Sequence, residues 1–140
     1  MKPKEILVFG ATGNIGRSLI RKFTKNNYKV VAVTRNIHQK GFQLKTQANP
    51  GYLELVELES LDEEKIKNLF NSCSVCINLI GILYEKNKGQ FNKIHSVLPN
   101  ILSKIAKEKK IDQFIHVSAL GVENASNSVY AKSKLDGENN

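Results

Sequence analysis

Tyr130 and Lys134 stand four residues apart in the segment "SVYAKSKLDGENN". On a helix that spacing puts both side chains on one face, one turn apart. A free phenol has a pKa of about 10, too high for proton transfer near neutrality. An ammonium beside it favours the phenolate and brings the proton within reach of acid–base chemistry. Ser118 ends the apolar run "DQFIHVS" upstream. Its hydroxyl can hold an oxygen while Tyr130 donates or takes a proton. Y-x-x-x-K has little specificity alone in a chain holding 21 Lys and Arg, and an exposed Tyr–Lys pair on a helix is the plain alternative. What precedes the pair gives it weight.

The stretch "VFGATGNIGR" matches G-x-x-G-x-x-G at Gly10, Gly13 and Gly16. Three spaced glycines are common by chance, but these follow a strand-like run and open an amphipathic segment, the context that the mechanism needs. Gly10 permits a sharp turn, Gly13 lets the backbone approach a diphosphate, and Gly16 lets the helix pack closely on the sheet. Free amides and a partial positive charge at the helix start suit phosphates; Thr12, Asn14 and Ile15 belong to the same cradle. A ribose 2′-hydroxyl usually pairs with an acid about 20 residues beyond such glycines. That region reads "VTRNIHQK" and contains none. Arg35 stands there instead, and Arg17 directly follows Gly16. Two guanidiniums can neutralise and bond a 2′-phosphate, so NADP(H) is expected over NAD(H).

These residues need elements to position them. "EILVF", "KVVAVT", "YLELVELE", "VCINLIG" and "DQFIHVS" read as strands, short and apolar as in a parallel sheet. The alternation in the third predicts a wetter face at a sheet edge. Ile15, Leu19, Ile20 and Phe23 form one helical stripe; Phe91, Ile94, Leu98, Ile101 and Ile105 form another, which Pro99 should bend. "SLDE" predicts a capping box between Ser60 and Glu63, and residues 35–51 read as loop. Strand–helix alternation implies an α/β, Rossmann-like doubly wound sheet of order 3-2-1-4-5, with ligands beyond the carboxyl ends of the strands and a crevice between the first and fourth.

A chain of 140 residues with 41% hydrophobic content is one soluble domain's worth. Its net charge of +8 sits in the first third, since no acid occurs from Ile6 to Leu53. That field suits an anionic ligand, nucleic acid or an anionic membrane surface; a lysine-rich solvated face is the plain reading. No nucleic-acid motif accompanies it, so nucleic acid is not expected as a partner. Cys73 and Cys76 form a lone C-x-x-C entering a strand, without the second pair of a zinc site, and read as structural thiols in a reducing compartment. His38 and His116 lack metal-ligand spacing, and no metal is expected. No secretory signal and no long apolar run occurs, which predicts no membrane span.

The glycine pattern, "INLIG", "HVSALG" and "YAKSK" in this order resemble the short-chain dehydrogenase/reductase superfamily in its extended and atypical branches, over essentially all 140 residues. The resemblance implies diphosphate binding at Gly10, Gly13 and Gly16. It implies further cofactor contacts at Asn78, Gly81, Tyr130 and Lys134, and a catalytic set of Ser118, Tyr130 and Lys134. Glu59 stands where extended members often have an adenine-facing Asp. "INLIGILYEKNKGQFNKIH" followed by "FIHVSALG" resembles, more narrowly, the group of the nucleotide-binding accessory subunit of respiratory complex I and its bacterial relatives. That group often has His where other extended members have Asn, here His95.

The narrower resemblance implies a protein that holds NADPH structurally, with a membrane respiratory complex as partner, cytoplasmic or peripheral on the inner face of that membrane. The broader one implies an oxidoreductase, epimerase or dehydratase acting on a sugar nucleotide or lipid-like carbonyl. A redox-sensing regulator is a third class, against which the Tyr–Lys pair argues. The family's last helix runs on into a sixth strand and a substrate region. The expectation is therefore that residues 1–140 form the N-terminal part of an NAD(P)-binding domain, inactive by itself.

Overall fold

The computed structural model describes residues 5–125 and 127–140. Five strands form within it: β1 (Glu5–Phe9), β2 (Lys29–Thr34), β3 (Leu53–Glu57), β4 (Val75–Asn78) and β5 (Gln113–His116). All pair in parallel, in the order β3-β2-β1-β4-β5 expected from the alternation of elements. Phe9 lies opposite both Val33 and Asn78, so three strands end level and their loops leave one edge of the sheet together. β3 is an edge strand, with Glu54 and Glu57 exposed; three residues apart, they point to opposite faces, so the single wetter face expected from the alternation is not what forms.

The central strands are apolar on both sides because both sides are covered. Leu7, Phe9, Val31, Val33 and Cys76 pack against Ile66 of α3 (Glu63–Leu69) and Leu98, Leu102 and Ile105 of α5 (Leu98–Glu108). Ile6, Val8, Val30, Ala32 and Ile77 face the other way, onto Ile20 of α1 (Asn14–Lys25) and Leu44 of α2 (Phe42–Gln47). The last helix, α6, is Val129–Glu138. Cys73 and Cys76 are free and buried. Burial, with a lesser push from Glu5, raises the Cys73 thiol to about 11, and burial raises Cys76 well above its ordinary value. Both stay protonated near neutrality, as packing residues do.

Two further local readings are corrected, and the surroundings of Pro99 are filled in. Residues 35–51 contain helix: a π-helical turn at Ile37–Gly41, capped by Asn36 Oδ1 on the Gln39 amide, runs into α2. The cap of α3 is Asp62, whose carboxylate accepts from the amides of Glu64 and Lys65 at 3.0 and 3.3 Å. A carboxylate at a helix start also meets the dipole favourably, so the helix begins after Asp62 instead of after Ser60. Finally, Pro99 is accommodated by a change of winding. The short helix α4 (Gln90–Asn92) passes through a π-helical turn, Lys93–Val97, into α5, and Pro99 falls in the first turn of α5. Pro99 has no amide to offer the carbonyl four residues back, that of His95. That carbonyl turns toward α6, where a Cβ on Gly137 would overlap its oxygen.

Candidate functional site

The glycine turn joins β1 to α1 where the sheet order diverges. Gly10 has φ +78°, and a Cβ there would lie 2.8 Å from the Ile80 amide nitrogen and the Leu79 carbonyl carbon. A Cβ on Gly16 would lie 2.5 Å from the Ala11 carbonyl oxygen. Gly10 and Gly16 are therefore dictated by the protein's own backbone. Gly13 is different: a Cβ there meets nothing closer than the Gly10 oxygen at 3.8 Å, and its backbone is ordinary extended chain at φ −76°. Gly13 caps α1 with no side-chain hydrogen bond, and no acid stands in the first turn. The space beside Gly13 is open.

That space is a cleft of about 620 Å³ running from Gly10, Thr12 and Gly13 across the ends of β1 and β2 to the loop after β4. A smaller hollow of about 320 Å³ continues from the same turn past Asn14, Ile15 and Gly16 to Val117. The large cleft has apolar walls at Leu58, Leu61 and Leu98, and its cations are Arg35, Lys40, Lys88 and Lys93, with Glu59 the acid among them. Arg35 thus faces the cleft. Arg17 lines neither space, and its guanidinium donates to Asn14 Oδ1 at 2.7 Å. Lys40 sits on the π-helical turn and lines the same cleft as Arg35, a placement that a stretch with loop-like composition does not signal.

The wall opposite α1 is the segment Leu79–Ile82. Asn78, fully buried at the end of β4, accepts from the Ile80 amide through Oδ1 (3.2 Å). Its Nδ2 then donates to His116 Nδ1 at 3.1 Å. His116 must carry its proton on Nε2, and that buried N–H has no partner among the described residues; neither has the buried Ser118 Oγ. Gly81 is the next wall residue. A Cβ there would stand 3.8 Å from Lys134 Nζ and 3.7 Å from His95 Nε2. Asn78 and Ser118 line neither space, but Gly81 lines the cleft above the amine.

Lys134 is 4% exposed and donates to the Val117 carbonyl at 3.2 Å. Burial lowers its pKa, and Glu138 one turn away opposes the shift. Tyr130 is half-buried on the same helix, its ring edge-on to His95 (5.2 Å between centroids) and to Phe91 (5.7 Å). The ammonium therefore lies among neutral imidazoles: burial, then Lys134, then His116 bring His95 down to about 4. Burial and then Lys134 lower His116, against Glu138. Such a cluster offers donors beneath an open, cation-lined cleft. No group of His, Cys, Asp and Glu suited to a metal occurs among the described residues, and none of their helices is long and apolar enough to cross a membrane.

Solved structures share this architecture. A putative NAD-dependent epimerase/dehydratase from Bacillus halodurans superposes with a TM-score of 0.80 over 97% of this chain and 63% of its own, at 20% identity. The Bordetella bronchiseptica enzyme WbmG, solved with NAD and UDP, gives 0.76 over 99% of this chain and 49% of its own, at 15% identity. At those identities the likeness is one of fold. Sequence relatives include NADH dehydrogenase (ubiquinone) 1 alpha subcomplex subunit 9, mitochondrial, from Mus musculus, 30% identical over 131 residues, which are 94% of this chain and 35% of that protein. The Arabidopsis thaliana protein of the same name is 32% identical over 132 residues, 94% of this chain and 33% of its own. The chain spans about a third of the length of these relatives. The profile of the NmrA-like family matches residues 2–136, nearly the whole sequence, and the chain belongs to that family.

Proposed function

We propose that this chain is the cofactor-holding part of a complex I accessory-subunit-like protein of the atypical short-chain dehydrogenase type, and that it keeps NADP(H) as a structural ligand. One observation carries the reading. Gly13 is the single glycine of the turn that no neighbouring backbone requires, and it opens on a cleft lined by Arg35 and Lys40. The amides of Gly10, Thr12, Gly13, Asn14, Ile15 and Gly16 take the diphosphate at the positive end of α1. Arg35, with Lys40 in place of Arg17, which bonds Asn14 and lines neither space, takes the 2′-phosphate. Gly81 borders the place of the other ribose and the nicotinamide; Asn78 holds that wall from beneath, and Tyr130 and Lys134 stand behind it as the family's remaining contacts.

Likeness to mitochondrial complex I subunits supports a membrane respiratory assembly as partner and a peripheral position on its membrane. Titrating the full-length protein with NADPH and NADH tests the ligand: NADPH should bind more tightly, and Arg35→Asp should reverse the order. Tighter NADH binding by the unaltered protein removes the NADP(H) assignment. Co-purification with a respiratory assembly, NADPH retained, tests the partner.

A second reading is favoured by Ser118 and Lys134. A buried hydroxyl without a partner among the described residues and a buried ammonium below Gly81 suit a Ser118–Tyr130–Lys134 centre for an oxidoreductase or epimerase/dehydratase acting on a sugar-nucleotide or lipid-like carbonyl. Steady turnover of cofactor by the full-length protein with a ketone or sugar nucleotide would favour this reading over the structural one.

A further inference from the structure

The wall segment Leu79–Ile82 has no regular structure, yet three of its amides are fixed. Leu79 donates to the Phe9 carbonyl (2.9 Å), Ile80 to Asn78 Oδ1 (3.2 Å) and Ile82 to His95 Nε2 (3.0 Å). The first continues the sheet past β4, and the second is a local bond to the side chain that ends β4. The third belongs to a buried side chain on the helical run after β4. Because the Ile82 amide is a donor, Nε2 must be bare and the imidazole proton must sit on Nδ1. Nδ1 lies 2.9 Å from Ser133 Oγ, which donates onward to the Tyr130 carbonyl at 2.7 Å. Every proton in this chain of bonds is therefore assigned. Phe91 stacks on the imidazole at 5.5 Å with 15° between the planes, and Tyr130 abuts it edge-on.

We infer that His95 is a positioning residue, a neutral imidazole strut that fixes the cleft wall Leu79–Ile82 against the helix bearing Tyr130 and Lys134 and so sets how tightly the cleft holds a dinucleotide. The inference rests on the dinucleotide reading above. The strut spans the wall at Ile82 and the helix at Ser133, while the same wall presses on the glycine turn at Gly10. Withdrawing Nε2 from Ile82 frees the wall beside Gly81; withdrawing Nδ1 from Ser133 frees only the helix.

Glutamine and asparagine separate the two ends. Gln reaches about as far as Nε2 and can still accept from Ile82, whereas Asn reaches only as far as Nδ1 and can serve Ser133 alone. Isothermal titration of the full chain with NADPH should find His95→Gln within about threefold of the unaltered protein and His95→Asn weaker by about tenfold, the scale of one lost buried hydrogen bond. Imidazole ¹⁵N shifts should report the proton on Nδ1. Equal affinities in the two variants, or losses that merely follow their melting temperatures, would overturn the strut. If the unaltered chain binds neither NADPH nor NADH, the dinucleotide reading fails instead. Amide exchange then decides the strut: the Ile82 amide should exchange faster in His95→Asn than in His95→Gln, and equal rates would refute it.

Discussion

Gly13 and Gly16 are the same residue type in one turn, and their surroundings predict opposite consequences of one added methyl. At Gly13 an Ala side chain enters open space at an ordinary backbone angle. Stability should stay within about 0.5 kcal/mol, while dinucleotide affinity falls because the methyl occupies the approach to the amides. At Gly16 the methyl meets the Ala11 backbone at 2.5 Å. Helix propensity favours Ala over Gly by about 1 kcal/mol, but overpacking against rigid backbone costs about 1–3 kcal/mol, so the net effect is a less stable protein. Urea unfolding and NADPH titration on the two variants check the pair; a destabilised Gly13→Ala would remove Gly13 from the ligand surface.

His95 makes a second prediction at this scale. Its folded pKa of about 4 lies below the ordinary 6.5, so the unfolded chain binds the proton first as pH falls. Its contribution is whole above pH 6.5 and is lost between there and about 4, to the extent of roughly 2–3 kcal/mol. His116, shifted in the same direction, adds to the slope. Urea midpoints measured across this window should fall with pH, and His95→Gln should flatten the curve.

At the scale of elements, the strands were legible because a parallel sheet covered on both sides writes itself as short apolar runs. β1 and β2 coincide with "EILVF" and "KVVAVT". What was not legible lacks such a pattern. α2 is six residues long and buries Leu44 while leaving Phe42 64% exposed, so it shows no stripe. Pro99 signalled a disturbance in its helix but not its form. A proline deprives the carbonyl four residues earlier of its donor, and a straight helix answers by bending. Here the π-helical turn Lys93–Val97 lets the His95 carbonyl lean out, and Gly137 on α6 receives it. Sequence gives no sign of this meeting, because its two partners lie on helices separated by β5. Gly137→Ala should therefore destabilise by about 3 kcal/mol, the upper range of overpacking, although Ala is the better helix former. The melting temperature should drop by several degrees; an unchanged or raised value would mean that α6 does not pack on that carbonyl.

For the molecule as a whole, the basic first third predicted a field but not its direction. The structure divides that charge. Lys29 lies between Glu5 and Glu54 at 3.5 and 3.6 Å, and Arg21 donates to Gln47 Oε1. Arg35 and Lys40 face the cleft, where Lys88 and Lys93, from outside the basic third, join them against one acid, Glu59. Which cations look inward depends on the π-helical turn and on the loop after β4, so Arg35 could be read from its place at a strand end and Lys40 could not. A concave site with four cations attracts ligand in proportion to ligand charge, and salt screens that attraction over about 10 Å at 0.1 M. NADPH exceeds NADH by one phosphate of about −1.5 to −2 charge. Raising salt from about 0.05 to 0.5 M should therefore weaken NADPH binding more steeply than NADH binding and narrow the preference between them. Arg35→Gln with Lys40→Gln should make the two salt slopes converge, since Lys88 and Lys93 remain to act on both ligands alike. If the double variant keeps the steeper slope for NADPH, the 2′-phosphate lies elsewhere in the cleft, nearest Lys88 and Lys93.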